Sequence, residues 1–258
     1  PFSQAVLRVF ALHGEKKNRA RARLKFLVAA WGIDLFREEV ENVRAQLHPD
    51  PEWTRWLSDM ALWEEQPVHP PGPALIESSD TELEAWARTN VFPQRQQGYA
   101  AVKVRVPQGD LAPDQLRELA QILRRHCGVL RITPDQALLL RWVPTDHLEA
   151  LRAELSQVGL DQACAGGLGD TVACPGADSC KLGITAPRAI ARSMRPELDS
   201  LARDPRLEGI RIHVSGCPNG CGQHHLANIG FHGAAMKGPS GQQIPAYELF
   251  LGGNYGGE

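Results

Sequence analysis

Four of the chain's six cysteines stand as two close pairs, and both pairs sit in segments broken by proline and glycine. Cys174-Pro175-Gly176-Ala177-Asp178-Ser179-Cys180 reads C-x5-C, and Cys217-Pro218-Asn219-Gly220-Cys221 reads C-x3-C. If the four act together, the chain must fold so that two loops meet, each giving two thiolates to one centre. Four soft, deprotonated sulfurs at the corners of a compact cage are what a [4Fe-4S] cluster requires. Proline and glycine between ligands let the backbone turn tightly and point amide N–H groups at sulfur, which tunes the potential. Structural zinc is the competing reading, and it accepts C-x3-C but sits poorly with C-x5-C. The expected cluster ligands are therefore Cys174, Cys180, Cys217 and Cys221. Cys127 ends a predicted helix and reads as a small core residue, and Cys164 as structural.

Six cysteines in 258 residues are too few for a disulfide scaffold. With no charged start followed by an apolar core, nothing reads as a signal peptide. Clustered cysteines then point to a reducing, cytoplasmic setting. No apolar run is long enough to cross a bilayer, so no membrane partner is expected. A formal net charge of −2 argues against a sequence-independent grip on nucleic acid.

Periodicity outlines an α+β chain. Residues 1–47 read as helical, with Leu24, Leu27, Val28 and Trp31 on one apolar face and Phe36, Val40, Val43 and Leu47 on the next. Gly32 serves as a stop and Asp34 as the following N-cap. Residues 48–97, rich in breakers such as Val68-His69-Pro70-Pro71-Gly72-Pro73, read as a connecting arm with short helices around Trp53–Trp63 and Thr81–Ala87. Across 98–160 the order is strand (Tyr99–Val106), helix (Pro113–His126, apolar face Leu116, Leu119, Ala120, Leu123), two strands (Val129–Ile132 and Gln136–Trp142) and helix (Asp146–Val158). That order fits most of a ferredoxin-like unit. In 161–258, strands are expected at Gly209–Val214, Asn228–Phe231 and Tyr247–Leu251, and a helix at Arg188–Ala202 broken or restarted at Pro196.

The residues flanking the cysteines say more than the spacing. Thr171-Val172-Ala173-Cys174-Pro175-Gly176, Val214-Ser215-Gly216-Cys217-Pro218-Asn219-Gly220-Cys221-Gly222-Gln223 and Leu249-Phe250-Leu251-Gly252-Gly253 closely resemble the sirohaem-dependent nitrite and sulfite reductase family, in the family's order. Gly98–Leu160 resembles that family's ferredoxin-like half-domain, and Lys17–Phe26 the segment closing its first half. The resemblance implies an α+β fold: the helical end of a first-half repeat (1–47), an arm (48–97), the ferredoxin-like half-domain (98–160) and a sirohaem and [4Fe-4S] domain (161–258). It implies two cofactors, with Cys221 ligating both a cluster iron and the sirohaem iron. It also implies six-electron reduction of nitrite to ammonia or sulfite to sulfide, with ferredoxin as a common external donor. No G-x-G-x-x-G opens a strand–helix unit here, which agrees with an external donor.

Lys16, Lys17, Arg19, Arg21, Arg23 and Lys25 form the densest charge run. By itself such a run is a solvated helix face. The resemblance raises another use, since sirohaem carries many carboxylates and the substrates are anions, which suit guanidinium forks and ammoniums. Lys25, Arg23 and Arg19 are the expected cofactor-facing cations, joined by Asn219 and Gln223 at the C-x3-C loop. His224 and His225 read as structural. The family's members have two similar halves, whereas this chain, starting at Pro1 and ending soon after Gly252-Gly253, resembles one truncated at both ends. A missing N-terminal half, or a second polypeptide in its place, is expected to complete the pocket. A precorrin-3B synthase-like enzyme and a cluster-only electron-transfer module are the alternatives. A dissimilatory sulfite reductase fits less well, because no spare cysteines exist for an inserted ferredoxin.

Overall fold

Apolar side chains at helical spacing build the first part of the chain. In the computed structural model, which describes residues 1–19, 21–60, 64–73, 81–202 and 204–254, the chain divides into two units, Pro1–Glu65 and Gln66–Glu258. In the first, α1 (Phe2–His13), α2 (Leu24–Trp31) and α3 (Ile33–Ala45) close round Ala5, Val9, Leu27, Phe36 and Val40. Gly32 ends α2 as expected, but with φ at 80° it is also the N-cap of α3. Asp34, expected at the cap, lies in the first turn, where its charge meets the positive end of the helix.

Of the basic run, Lys16, Lys17, Arg19, Arg21 and Arg23 are not helical, against expectation, and Lys25 lies in α2. The Glu15 carboxylate accepts the N–H groups of Lys17 (2.6 Å) and Asn18 (3.0 Å), which would be needed elsewhere in a helix. These bonds hold the Glu15 carboxyl below its usual range. Like charges at i, i+4 along Lys17, Arg21 and Lys25 would also repel on a helix. The helix begins only at Leu24. Further on, α4 (Glu52–Ser58) covers the start of the helix expected around Trp53–Trp63, whose positions 61–63 lie outside the described residues.

The second unit holds two sheets. The first has the order β1-β2-β4-β3, formed by β1 (Val91–Pro93), β2 (Tyr99–Val104), β3 (Val129–Ile132) and β4 (Leu138–Pro144), all neighbours antiparallel. Helices α5 (Thr81–Asn90), α6 (Pro113–His126) and α7 (Leu148–Gln157) share its core with Ala100, Val102, Val104, Leu138 and Leu140. β1 lies in the stretch read as a connecting arm, three residues being too short to show alternation. It pairs with β2 at the sheet edge. β4 runs two residues later than expected, because the turn after β3 extends through Gln136 at φ 62°. The buried stripe of α6 is Leu119, Ile122 and His126, so the helix is rotated away from Leu116, which is exposed.

The second sheet has the order β5-β6-β7-β8, formed by β5 (Val172–Ala173), β6 (Ile212–Ser215), β7 (Ile229–Lys237) and β8 (Gln243–Leu251). β5, β6 and β7 are parallel, and β8 returns antiparallel. The helix α8 (Pro187–Leu201) crosses from β5 to β6. Pro196 does not break it: Ala191, Ile190, Met194 and Leu198 pack with Ala173, Ile212 and Val214, on both sides of the proline, and that packing carries the helix through. All four residues of β6 are buried, as a central parallel strand covered on both faces demands.

Among the polar ties between the parts that carry the two sheets, those of Arg105 and Gln136 lie nearest β5. The buried Arg105, just after β2, bonds to Gly169 O and pairs with Asp170 (3.5 Å) and Asp199 (2.9 Å). Burial pushes the Asp170 carboxyl up and Arg105 opposes that, so removing the arginine would strand a buried acid. The Gln136 amide donates to Ala173 O (2.9 Å) and accepts from Ala173 N (3.0 Å), extending β5 from the other sheet.

Leu140 is fully buried at the centre of the first core. Leu140→Ala should cost about 2–5 kcal/mol in chemical denaturation. Burial holds His126 below its ordinary 6.5, against the opposing pull of Glu154. The fold therefore keeps a neutral imidazole, and its contribution is whole above about pH 6.5 and is lost as pH falls below that value. Stability of a His126→Gln variant should be less sensitive to acid between about pH 7 and 5, compared with the parent in urea titrations.

Candidate metal centre

Parallel pairing brings the two cysteine loops together. Val172 stands opposite His213 and Ala173 opposite Val214, so β5 and β6 end side by side. Cys174 follows the end of β5, and Gly216-Cys217 follows the end of β6. Open parallel sheets present their ligand sites at such carboxyl ends.

The loops are then knitted backbone to backbone. Cys174 N donates to Val214 O (3.1 Å), and Ile184 N (2.8 Å) and Thr185 N (3.2 Å) donate to Gly216 O. Within the first loop Ala177 N reaches Thr185 O and Cys180 N reaches Gly176 O, both at 2.8 Å. Such closeness needs glycine. A Cβ on Gly216 would stand 2.7 Å from Gly176 Cα and 3.1 Å from Thr185 O. Gly176 itself has φ at 54°. Gly216 N–H donates to Cys174 Sγ (3.1 Å), the amide-to-sulfur contact expected of a thiolate ligand.

Cys174 is buried, Cys217 half-buried, and Cys180 and Cys221 exposed. Burial pushes the Cys174 thiol up, and so does the charge of Cys221 and Cys217, while the N–H groups of Gly216 and Gly176 pull it down. A thiolate there calls for a cationic centre beside it. Cys127 is different: buried within the first core and pushed up to about 11, it is an inert filler as expected. Cys164, its thiol also raised by burial, adopts φ 64° beside Ala202 O and lies outside the cysteine loops.

The other expected site residues fall in two places. Asn219 is exposed within the C-x3-C loop, and Gln223, half-buried with φ at 57°, closes that loop through its N–H to Gly220 O (2.8 Å). Arg19, Arg23 and Lys25 belong to the first unit and are exposed. That unit has a cavity of about 600 Å³ whose lining includes Lys16, Lys17, Arg21, Phe26 and Trp31. Sequence reasoning missed Gln136, which splints β5, because nothing local marks a glutamine in a hairpin turn as a partner of a distant strand. It also missed the pairing of Gly216 with Gly176, although both glycines stand beside the cysteines.

Residues 92–158 match the model described as the nitrite/sulfite reductase ferredoxin-like half domain, and residues 1–47 match that of the nitrite and sulphite reductase 4Fe-4S domain. The cysteine loops lie outside both matches. The chain is 31% identical over 262 residues to a ferredoxin–nitrite reductase of Synechococcus elongatus, covering 98% of this chain and 44% of the relative. It is also 31% identical over 257 residues to sulfite reductase [ferredoxin] 2 of Mycolicibacterium paratuberculosis, covering 98% and 42%. Its fold matches the Mycobacterium tuberculosis NirA protein with a TM-score of 0.67 and 26% identity, over 98% of this chain and 42% of that one. Both matched models and these relatives are of the nitrite and sulfite reductase family, and the chain spans under half the length of these relatives. Among the described residues no helix is long and apolar enough to cross a membrane.

The family's cofactors are a [4Fe-4S] cluster and sirohaem, and the cysteine loops fit the first. Cys174 and Cys217 each follow one of two paired parallel strands, and the Gly216 N–H already donates to the Cys174 sulfur, as a thiolate ligand requires.

Gly216→Ala should drive the loops apart. Iron bound per chain after anaerobic reconstitution should fall to less than about half, with far-UV dichroism unchanged.

Proposed function

We propose that this chain is part of an assimilatory-type sirohaem reductase, an oxidoreductase reducing nitrite to ammonia or sulfite to sulfide by six electrons. The observation that carries this reading is the meeting of the C-x5-C and C-x3-C loops at the ends of two paired parallel strands. Cys174, Cys180, Cys217 and Cys221 would hold the cluster, and Cys221 would also reach the sirohaem iron. When bound, the two cofactors store electrons singly and deliver them to the substrate anion. The chain's own part is to hold the thiolates in one frame and supply cations. Lys25, Arg23 and Arg19 would meet cofactor carboxylates or the anion, and Asn219 and Gln223 would border the cofactor from the cluster loop. The relatives named for ferredoxin support that protein as electron donor. Because the chain spans under half of those relatives, the complete pocket needs a further half, on the same polypeptide or another.

The test begins with anaerobic purification from a host able to make sirohaem, then iron, sulfide and sirohaem analysis with an optical spectrum. Cluster and sirohaem together support the reading, and turnover of nitrite against sulfite then assigns the substrate. Cluster alone would make the isolated chain an electron-transfer module. Zinc at one per chain without acid-labile sulfide overturns it. Cys221→Ser should disturb both cofactors at once, whereas Cys174→Ser should act through the cluster. A normal sirohaem spectrum in Cys221→Ser would refute the shared ligand.

A further inference from the structure

Cys221 is exposed, yet the residue after it is buried and held from both sides. Gly222 N–H donates to Ser215 Oγ (3.1 Å), and Gly222 O faces His213 Nδ1 (2.8 Å). A carbonyl only accepts, so His213 carries its proton on Nδ1. Ser215 Oγ also lies 3.0 Å from His224 Nδ1. With one lone pair taken by the Gly222 amide, the serine hydroxyl is free to point at that ring nitrogen. His213 and Ser215 both belong to β6, with side chains 2% and 1% exposed as residues, so the fixed strand grips the loop rather than the reverse. The grip is close: a Cβ on Gly222 would run into Val214 O and stand 3.0 Å from Ser215 Oγ. On either side of Cys221-Gly222, Gly220 (φ 73°) and Gln223 (φ 57°) take left-handed turns.

We propose that His213 and Ser215 are positioning residues for Cys221: they fix the two peptide groups flanking Gly222, and thereby the direction in which the Cys221 thiolate leaves the loop. The proposal rests on the reading of Cys221 as a cluster ligand. The Ser215 bond holds the peptide that joins Cys221 to Gly222, and the His213 bond holds the next. With both made, the Cys221 Cα is fixed relative to β6, and so relative to Cys217 two residues beyond that strand. Cys174 is fixed to the same strand through Val214 O. One strand therefore sets the frame for ligands from both loops. Outer partners that orient metal ligands in this way typically change metal affinity by about 10–100-fold when removed.

The test uses the full chain with its cluster assembled anaerobically, and compares Ser215→Ala, His213→Leu and His213→Asn. The asparagine amide places a donor near the position of the imidazole Nδ1. The readouts are iron release to a chelator, the midpoint potential of the cluster and, separately, the unfolding temperature. Ser215→Ala and His213→Leu should release iron about tenfold faster and shift the potential, while His213→Asn stays within about threefold of the parent. Folded Ser215→Ala and His213→Leu proteins with parental release and potential would overturn the proposal. So would His213→Asn behaving like His213→Leu, since bulk rather than the donor would then matter. If His213→Leu does not fold, Ser215→Ala and His213→Asn decide between the same outcomes. A parent with iron but no acid-labile sulfide would instead sink the cluster reading itself, and with it this proposal.

Discussion

The parallel pairing of β5 with β6 is the constraint on which the site depends. Only two residue pairs define it, Val172 with His213 and Ala173 with Val214, yet it decides where four cysteines go. A slip of one residue would turn every side chain of β5 to the opposite face and move Cys174 by about 3.3 Å along the strand. Two residues cannot hold a register alone. β5 is held by the Gln136 amide on one edge and by β6 on the other, and its Ala173 packs under α8. The half-domain thus acts on the cysteine loops through contacts such as the Gln136 amide and the Arg105 ion pairs. Neither contact touches a cysteine.

Much of this was legible in the sequence where the signal is local. The spacing of Pro113–His126 and of Val129–Ile132 gave those elements to the residue, because each is bounded by proline or a turn and has a regular apolar period. The cysteine pairs pointed to two loops that must meet, and the loops do meet, because the cysteines and their turn residues lie within a few positions of each other. Legibility failed where non-local packing decides. β1 and β5 are too short to alternate and exist only because a neighbouring strand is there to pair with. Pro196 should have ended α8 by local rules, but the apolar face on both sides of it is buried. The basic run reads as helix by composition, while one glutamate takes the amides that a helix would need. Trp142, at φ 62° inside β4, receives a side-chain partner from Gln94, another tie that no window of sequence displays.

Electrostatics gives the cysteine loops a second requirement beyond geometry. As cluster ligands, four thiolates gathered at one end of a sheet would repel each other, and Cys174 would carry the added cost of burial. Amide dipoles from Gly216 and Gly176 offset part of that cost. The remainder calls for a positively charged core shared among the sulfurs, and metal binding at such a site expels protons as it proceeds. The same reasoning separates the two substrates from the scaffold. The chain is 31% identical both to a nitrite reductase and to a sulfite reductase, so overall likeness favours neither substrate. Discrimination between a planar-bent anion of one charge and a pyramidal one of up to two must lie in the cations and shape around the substrate. In the proposed reading those would come partly from side chains such as Lys25, Arg23 and Arg19, and partly from the more than half of the relatives' length that this chain does not span.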